Sequence, residues 1–599
     1  MSDSSPSSSS PSSSPNSLSS ESSPSTPPNM HQNTIDPAAK WLVQKFGGTS
    51  VGKFAVKIAE DIVSEYVDQH KVAIVCSARS GSTKALGTTN LLLRASSEAL
   101  QRPNHSTETP GSVTPGMLFT QLARVQSPPD SPRQRSASSP RSGSTSAFGS
   151  LSIPSFRPVF SHTVDIIRTE HLVAARSSIR DQEILHELEA EIERDCDGLA
   201  SFLFATQVID EVSPRSKDNI VGFGERLACK MMTAILRDRG IDAEYVSLEH
   251  IVPLPEEGEA SSQTETLGQD FYDRVAEAVG ERIRQCGNRF FGPVPGSLLR
   301  QVGRGYTDLL SALLAVGLGA SELQIWKEVD GIFTADPRKV PTARLIPIIS
   351  PEEAAELTYY GSEVVHPFTM EQVIRRKIPI RIKNVENPHG GGTVIHPDAD
   401  LDGPSFPDTA PEALVRALGS SYERKLPTAV TIKERIVVLN VSSNRKSVSH
   451  GFLAGIFGTL DRHGVVVDLI STSEVHVSMA IEDAWDKKVL DRVVRELRKS
   501  GSVTVSRDMA ILSLVGKKMR HMVGIAGRMF TTLGQGSVNI EMISQGANEI
   551  NISCVIDGRD AVKALNLIHQ SCLQIGPEVV KGRGASSLCR YTASLLVSC

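Results

Sequence analysis

The sequence lacks the features that mark membrane, secreted and nucleic-acid-binding proteins. No apolar run is long enough to span a bilayer, and the first forty residues, dominated by Ser and Pro, contain neither an apolar signal region nor an arginine. The eight cysteines lie far apart with no C-x-x-C pair, which favours reduced thiols over a disulfide framework or a zinc site. A net charge of -5 argues against nucleic acid or an anionic membrane as a partner. We therefore expect a cytoplasmic protein with no metal site of its own.

The chain has 599 residues, which is long enough for several domains. Two Ser/Pro-rich segments, 1–38 and about 101–152, carry too little apolar surface to offset the entropy of ordering and are predicted to be disordered. Between 39 and 405 strands alternate with helices, which predicts an α/β fold whose mostly parallel sheet is covered on both faces. In such sheets ligands bind beyond the carboxyl ends of the strands.

The run 45–53 (KFGGTSVGK) follows an apolar segment and predicts a strand, a glycine turn and the start of a helix. Gly47 and Gly48 let the backbone approach a bulky anion, and free N–H groups at a helix N-terminus favour phosphate oxygens. The spacing from Gly47 to Lys53 nearly matches a P-loop, but Phe54 stands where a hydroxyl would bind magnesium. An ordinary strand-to-helix turn is the alternative, and a lysine on each side favours phosphate.

The run 222–228 (GFGERLA) fits the G-x-G-x-x-A pattern of a dinucleotide-binding turn, with Asp242 at about twenty residues further on. The preceding stretch 216–219 is polar, so the run lacks its leading apolar strand. Glu225 and Arg226 place opposite charges just inside a predicted helix N-terminus. We expect this run to bind a small zwitterion rather than a dinucleotide.

Two further runs carry polar and charged side chains beside predicted elements. In 303–308 (GRGYTD), Arg304 can bind a carboxylate or phosphate as a fork, Thr307 can donate, and Asp308 can orient a lysine or help to hold magnesium. A simple capped helix start is the alternative, because Thr and Asp both favour that position. The run 327–338 (KEVDGIFTADPR) leaves a predicted strand and is compatible with holding a nucleotide.

Five segments in this order resemble an aspartate kinase of the amino acid kinase family, in its fungal form: 45–50, 224–225, 303–308, 329–338 and 361–367. The resemblance covers about residues 41–575. It implies a three-layer amino acid kinase fold in which a mostly parallel sheet lies between helices, followed by two ACT (βαββαβ) domains of the α+β class. It also implies that MgATP phosphorylates the β-carboxylate of L-aspartate, so that ATP and Mg²⁺ are the expected cofactors.

The resemblance also implies roles for individual residues. Lys45 stabilises the transferring phosphoryl group and Asp308 organises lysine and metal. The implied aspartate contacts are Ser77, Thr89, Glu225, Arg304 and Thr307. The implied ATP contacts are Lys45, Gly47, Gly48, Ser50, Lys327, Phe333 and Arg338. Many bacterial members have a nucleotide-contacting lysine where this chain has Glu363, so Glu363 is not assigned to ATP.

The C-terminal third contains an internal repeat. Residues 457–471 are echoed by 530–544, and 474–478 by 549–553, each after a leading strand at 437–441 or 510–514. The repeat resembles a pair of ACT domains, expected at 430–505 and 506–580, which bind amino acids at their interfaces. The resemblance implies an amino-acid effector, threonine before lysine, and a homo-oligomer that is at least a dimer. The expected effector contacts are His450, Gly451, Phe452, Ala454 and Asp468.

Two other functions remain open at this point. The chain could be an amino-acid sensor whose kinase fold is silent, or a kinase of another carboxylate such as glutamate or acetylglutamate. The presence of Lys45, Glu225, Arg304 and Asp308 together favours an active enzyme, and the tandem ACT repeat favours aspartate. A pair of ACT modules that only dimerises is a further alternative. The tail 581–599 resembles nothing in the family.

Overall fold

The computed structural model describes residues 36, 38–81, 83, 86–101, 157–248, 268–286, 290–291, 306–362, 365–397, 426–444, 451–484, 487–546 and 550–573. The segments expected to be disordered lie outside the described residues, apart from residues 36, 38 and 101, and so does the tail 581–599. None of the helices in the described ranges is long and apolar enough to cross a membrane.

The strands, in chain order, are β1 Trp41–Phe46, β2 Lys71–Cys76, β3 Tyr245–Val246, β4 Phe290–Phe291, β5 Glu322–Lys327, β6 Ile348–Ile349, β7 Ile380–Asn384, β8 Thr393–Ile395, β9 Ala429–Ser443, β10 Leu469–Thr472, β11 His476–Glu482, β12 Gly501–Val515, β13 Met542–Ser544 and β14 Asn551–Asp557.

The α-helices are α1 Gly48–Lys57, α2 Ser64–Val67, α3 Thr88–Ala99, α4 Val159–Ser178, α5 Gln182–Ile209, α6 Pro214–Asp238, α7 Gln269–Cys286, α8 Tyr306–Leu318, α9 Pro351–Tyr359, α10 Pro367–Ile374, α11 Phe452–Arg462, α12 Lys487–Leu497, α13 Ile525–Gln535 and α14 Ala561–Ile568. Two π-helical segments, Ile58–Val63 and His569–Leu573, continue α1 and α14.

The first eight strands form one sheet in the order β3-β4-β2-β1-β5-β7-β8-β6. Only β7 and β8, among the described pairs of this sheet, run antiparallel. Successive side chains of a strand point to opposite faces, so Phe46 and Ile74 pack with α1 and α3–α6 while Val43 and Val75 pack with α7, α8 and α10. The predicted α/β fold, a mostly parallel sheet between two helical layers, is confirmed.

The register of the central strands places their carboxyl ends side by side. Phe46 at the end of β1 is paired with Cys76 of β2 and with Trp326 of β5. The residues that follow, Gly47 and Ser77, and the last residue of β5, Lys327, therefore lie at one edge of the sheet. This edge is the expected ligand position in an open parallel sheet.

The last six strands form a second, antiparallel sheet in the order β10-β11-β9-β12-β14-β13. Helices α11 and α12 pack against one half of it, and α13 and α14 against the other. Each half has the strand order of a βαββαβ unit. The prediction of a tandem pair of such units is confirmed by this architecture.

The two units interlock, which the repeat did not predict. Residues 438–443 of β9 pair with 501–506 at the start of β12 in the first unit, whereas residues 429–433 of the same strand pair with 511–515 in the second. Between these stretches the register shifts, and Arg435 and Asp508 adopt left-handed backbone conformations with φ of 59° and 58°. The predicted division at residues 505 and 506 therefore falls inside β12, and the second unit takes its last strand from before the first.

Candidate active site

An ion pair stands at the edge where the central strands end. Lys45 is the fifth residue of β1, and Asp308 lies in the first turn of α8. The Lys45 Nζ and Asp308 Oδ1 atoms are 2.6 Å apart, and the two side chains are only 10% and 17% exposed. A partly buried lysine held in place by a carboxylate is positioned to neutralise an anion at this edge.

The glycine turn beside this pair is shaped for close approach of a ligand. Gly47 caps α1 with no side-chain hydrogen bond, and the first turn of α1 contains no acidic residue. A Cβ at Gly48 would lie 2.3 Å from the Ala78 carbonyl oxygen, so this position accepts only glycine. A Cβ at Gly47 would meet only Lys45 Nζ, at 4.0 Å. The helix N-terminus and Lys45 together provide a positive, open surface suited to phosphate.

Glu225 reaches the same site from the middle of a helix. We predicted it just inside a helix N-terminus, but α6 begins at Pro214 after the Ser213 cap, so that expectation is wrong. Gly224, the residue before Glu225, allows α6 to pack closely against its neighbours, because a Cβ at this position would lie 3.0 Å from both Ala78 Cβ and Leu92 Cδ1. This close approach brings the next residue, Glu225, against the strand ends.

The carboxyl group of Glu225 is buried, with an exposed fraction of 3%. The Tyr306 hydroxyl donates a hydrogen bond to Glu225 Oε1. Burial raises the pKa of Glu225 to about 8, although Tyr306 and the charge of Lys45 oppose this shift. Within the described ranges, Oε2 has no hydrogen-bond partner. A buried carboxyl with one oxygen that accepts no hydrogen bond is suited to bind a cationic group.

Hydroxyl groups complete the described part of the site. Ser77, directly after β2, and Thr307, at the start of α8, are joined by a 2.9 Å contact between their hydroxyl oxygens. The Ser50 hydroxyl donates to Glu328 Oε1 at 2.8 Å and so ties the first turn of α1 to the exit of β5. Thr89 is half-buried in the first turn of α3.

The structure thus brings together most of the predicted substrate and phosphate residues. Lys327 ends β5 at the same edge, whereas Phe333 and Arg338 lie further along the 331–346 loop, the segment between β5 and β6. Arg338 is exposed and forms an ion pair with Asp336 at 3.0 Å. Arg304, and His450 of the predicted effector site, lie outside the described residues.

Two residues that contact the candidate site, Tyr306 and Glu328, were not predicted from the sequence. Tyr306 lies inside the quoted 303–308 run, and its place directly before two assigned residues was the available signal. Glu328 lies inside the 327–338 run, but its hydrogen bond to Ser50 joins residues 278 positions apart. No local pattern could have revealed that contact.

The described residues of the predicted effector site lie at the entry of α11 and before β10. Gly451 caps α11 with φ of 81°, which favours glycine, and is followed by the buried Phe452 and the exposed Ala454. Asp468 Oδ1 is 2.7 Å from Lys433 Nζ, while its Oδ2 is buried and has no hydrogen-bond partner in the part of the chain that the structure describes.

Parts of the chain match two known domain families, and most of the chain is similar to fungal enzymes. Residues 40–384 match the amino acid kinase family, and residues 512–572 match an ACT domain. The chain is 49% identical to an aspartokinase of Schizosaccharomyces pombe, covering 90% of this chain and 94% of that protein. It is 46% identical to the aspartokinase of Saccharomyces cerevisiae, covering 89% and 93%. The chain belongs to the amino acid kinase family and, within it, to the aspartokinases.

Solved structures share the fold over both sheets. Aspartokinase III of E. coli in complex with lysine and aspartate has a TM-score of 0.61 at 24% identity, covering 89% of this chain and 99% of that chain. The same enzyme in complex with aspartate and ADP has a TM-score of 0.59 at 25% identity, covering 89% and 100%.

The raised pKa of Glu225 predicts a pH-dependent stability effect. Between its ordinary value of 4.5 and its folded value of about 8, the folded protein keeps a proton on Glu225 that the unfolded chain releases. The free energy of unfolding therefore loses stabilisation as pH rises through this window. Glu225→Gln removes this loss, so its Tm should rise relative to the wild type as the pH increases from 5 to 8. The exposed Glu541→Gln is the control, and a Tm difference for Glu225→Gln that stays constant with pH would contradict the assignment.

Proposed function

We propose that the chain is an aspartate kinase that transfers the γ-phosphoryl group of ATP to the β-carboxylate of L-aspartate. The products are 4-phospho-L-aspartate and ADP, and the reaction is the first step of threonine, methionine and isoleucine biosynthesis, and in some organisms of lysine biosynthesis. The fungal relatives carry this name, and the E. coli enzyme binds aspartate and ADP in the same fold.

The proposal rests on two groups that lie at the same edge of the sheet. One is a lysine suited to bind phosphate, and the other is a buried carboxyl suited to bind an ammonium group. Lys45, oriented by Asp308, faces the open side of the glycine turn, where phosphate fits. Glu225 is close enough for the charge of Lys45 to act on its pKa, and it offers a buried oxygen to an ammonium group. An amino acid held by Glu225 would present a carboxylate beside the phosphate position.

The reaction requires the protein to orient the substrates and to neutralise the charge of the transferring phosphoryl group. It requires no general base. The aspartate carboxylate is already a nucleophile at neutral pH, so no proton has to be removed from it. Lys45 and the N-terminus of α1 neutralise charge on the transferring group. Glu225 receives the substrate ammonium, which favours its ionised form, while Ser77 and Thr307 orient the substrate. Thr89 and Arg304 are assigned to aspartate by resemblance, Arg304 through its bidentate fork.

The site fits a magnesium ion that arrives with ATP. No group of three or more His, Cys, Asp or Glu side chains in the described ranges is arranged to hold a metal. Magnesium is often bound by one or two carboxylates plus substrate phosphates, and Asp308 and Glu328 lie at this edge. When bound, the ion neutralises charge on the phosphates.

The remaining assignments are also proposals. Gly47, Gly48, Ser50 and Lys327 would contact the nucleotide at the sheet edge, with Phe333 and Arg338 from the 331–346 loop. A cytoplasmic location is consistent with the buried cysteines Cys76, Cys196, Cys554 and Cys572, which form no disulfide in the described part of the chain. A homo-oligomer of at least two chains would form through the ACT units, and the exposed Leu453 and Phe457 of α11 supply apolar surface for it.

A coupled assay of ADP release tests the proposed function. We expect kcat/KM for L-aspartate to exceed that for L-glutamate by about 10- to 200-fold, the range for one methylene in a fitted pocket. N-acetylglutamate, which has no ammonium group for Glu225, should be the poorest acceptor. A higher value with glutamate or acetylglutamate would change the substrate assignment. ADP release with none of the three would favour the silent sensor.

We propose threonine as the effector, bound at the entry of α11 and at Asp468. Free N–H groups after Gly451 can receive its carboxylate, and the unpartnered Oδ2 of Asp468 can receive its ammonium group. His450 is included by resemblance. The first ACT unit would then carry the regulatory site.

Asp468→Ala should relieve inhibition by threonine while the kcat measured without threonine stays near the wild-type value, because coupling and catalysis are separate free energies. Lys433 keeps Glu482 as a partner at 3.5 Å, so the substitution leaves no isolated charge. Initial rates over a threonine titration check this, with the exposed Asp491→Ala on α12 as the control. Full threonine sensitivity of Asp468→Ala would place the effector elsewhere.

A further inference from the structure

The 331–346 loop folds against the second ACT unit. Its two arms hydrogen-bond to each other, from Thr334 N to Arg344 O and from Ile346 N to Ile332 O, both at 2.8 Å. Val430 N of β9 donates to Thr334 O at 2.8 Å and so joins the loop to the edge of the second sheet. The backbone of this loop is therefore hydrogen-bonded to the second sheet.

The apolar side chains at the tip of the loop belong to the core of the second unit, whereas Ile332 and Ile346 at its base are buried in the kinase core. Ala335 and Val340 are buried in the same cluster as Met529 and Leu533 of α13 and Ile568 of α14. Removal of the second unit would expose both side chains to water. The tip of the loop therefore depends for its conformation on packing that the kinase fold itself does not supply.

Polar contacts from α14 and the π segment fix the loop at three points. The Asn566 side-chain amide donates to Lys339 O at 3.0 Å, and the Arg344 guanidinium donates to Leu573 O at 2.9 Å. His569, fully buried, lies between two threonines, with Nε2 3.0 Å from Thr334 Oγ1 and Nδ1 3.4 Å from Thr342 Oγ1. Each contact joins residues more than 200 positions apart in the sequence.

We propose that Asn566 and His569 of the second ACT unit are positioning residues of the ATP site. They hold the 331–346 loop, which carries Phe333 and Arg338, in the conformation that receives the nucleotide. The inference rests on the proposed function, in which these two loop residues contact ATP. Its consequence is that a change in the second ACT unit alters ATP affinity more than aspartate affinity.

The test compares Asn566→Ala with Asn539→Ala in the full-length chain. Asn539 lies in the same ACT unit, and its amide donates to Glu541 at 2.8 Å on the surface. We expect Asn566→Ala to raise the KM for ATP by roughly three- to tenfold, as for the loss of one hydrogen bond. The kcat and the KM for aspartate should change less than twofold, as should all constants of Asn539→Ala.

Hydrogen exchange of the nucleotide-free protein provides a readout independent of activity. Amides of residues 333–345 should exchange faster in Asn566→Ala than in the wild type and in Asn539→Ala. An unchanged KM for ATP in Asn566→Ala, at any exchange rate, would overturn the positioning role, and so would a larger rise in the KM for aspartate. Failure of the wild type to form ADP with aspartate would instead reject the proposed function.

Discussion

The ion pair between Lys45 and Asp308 is the interaction on which the site depends. It joins the end of β1 to the beginning of α8, at the edge where β1, β2 and β5 terminate together. A partly buried pair contributes little net stability, because desolvation of the charges offsets their attraction. The role of the pair is to position Lys45, because it holds this positive charge beside the open glycine turn. Glu225, protonated near neutral pH in the absence of substrate, adds no full negative charge that would compete with Asp308 for Lys45.

The second sheet is joined to the kinase fold by side chains as well as by the chain itself. Glu353 of α9 accepts hydrogen bonds from Thr428 Oγ1 at 2.6 Å and from Lys517 N at 2.8 Å, and Asn551 donates to Glu356 at 2.6 Å. Helix α9 and the 331–346 loop thus contact the second unit through separate sets of bonds. Because 429–433 completes that unit before the first one begins, both units share β9. Both units therefore include part of the strand that is hydrogen-bonded to the loop.

Much of this arrangement could be predicted from local patterns. The glycine turn after β1 and the two ACT units follow from short motifs and a repeat, whose structure is set mainly by neighbouring residues. The position of Glu225 within α6 was predicted wrongly because Gly222 and Gly224 were interpreted as a turn. The Ser213-Pro214 pair was the true start signal, since Ser caps a helix and Pro suits its first position. The interlocked β9 and the Ser50–Glu328 contact could not be predicted, because both join distant parts of the chain.

A double-substitution cycle on kcat tests most directly whether Lys45 and Asp308 act as one unit. Lys45→Ala should lower kcat by about 10²- to 10³-fold, the usual loss of one electrostatic stabiliser. If Asp308 acts by orienting Lys45, Asp308→Ala in the Lys45→Ala background should cost little more, and the double variant should match Lys45→Ala alone. Losses that multiply, so that the double variant is slower by the product of the two single effects, would show that Asp308 acts apart from Lys45, as it would in holding magnesium, and would contradict the central role of the pair.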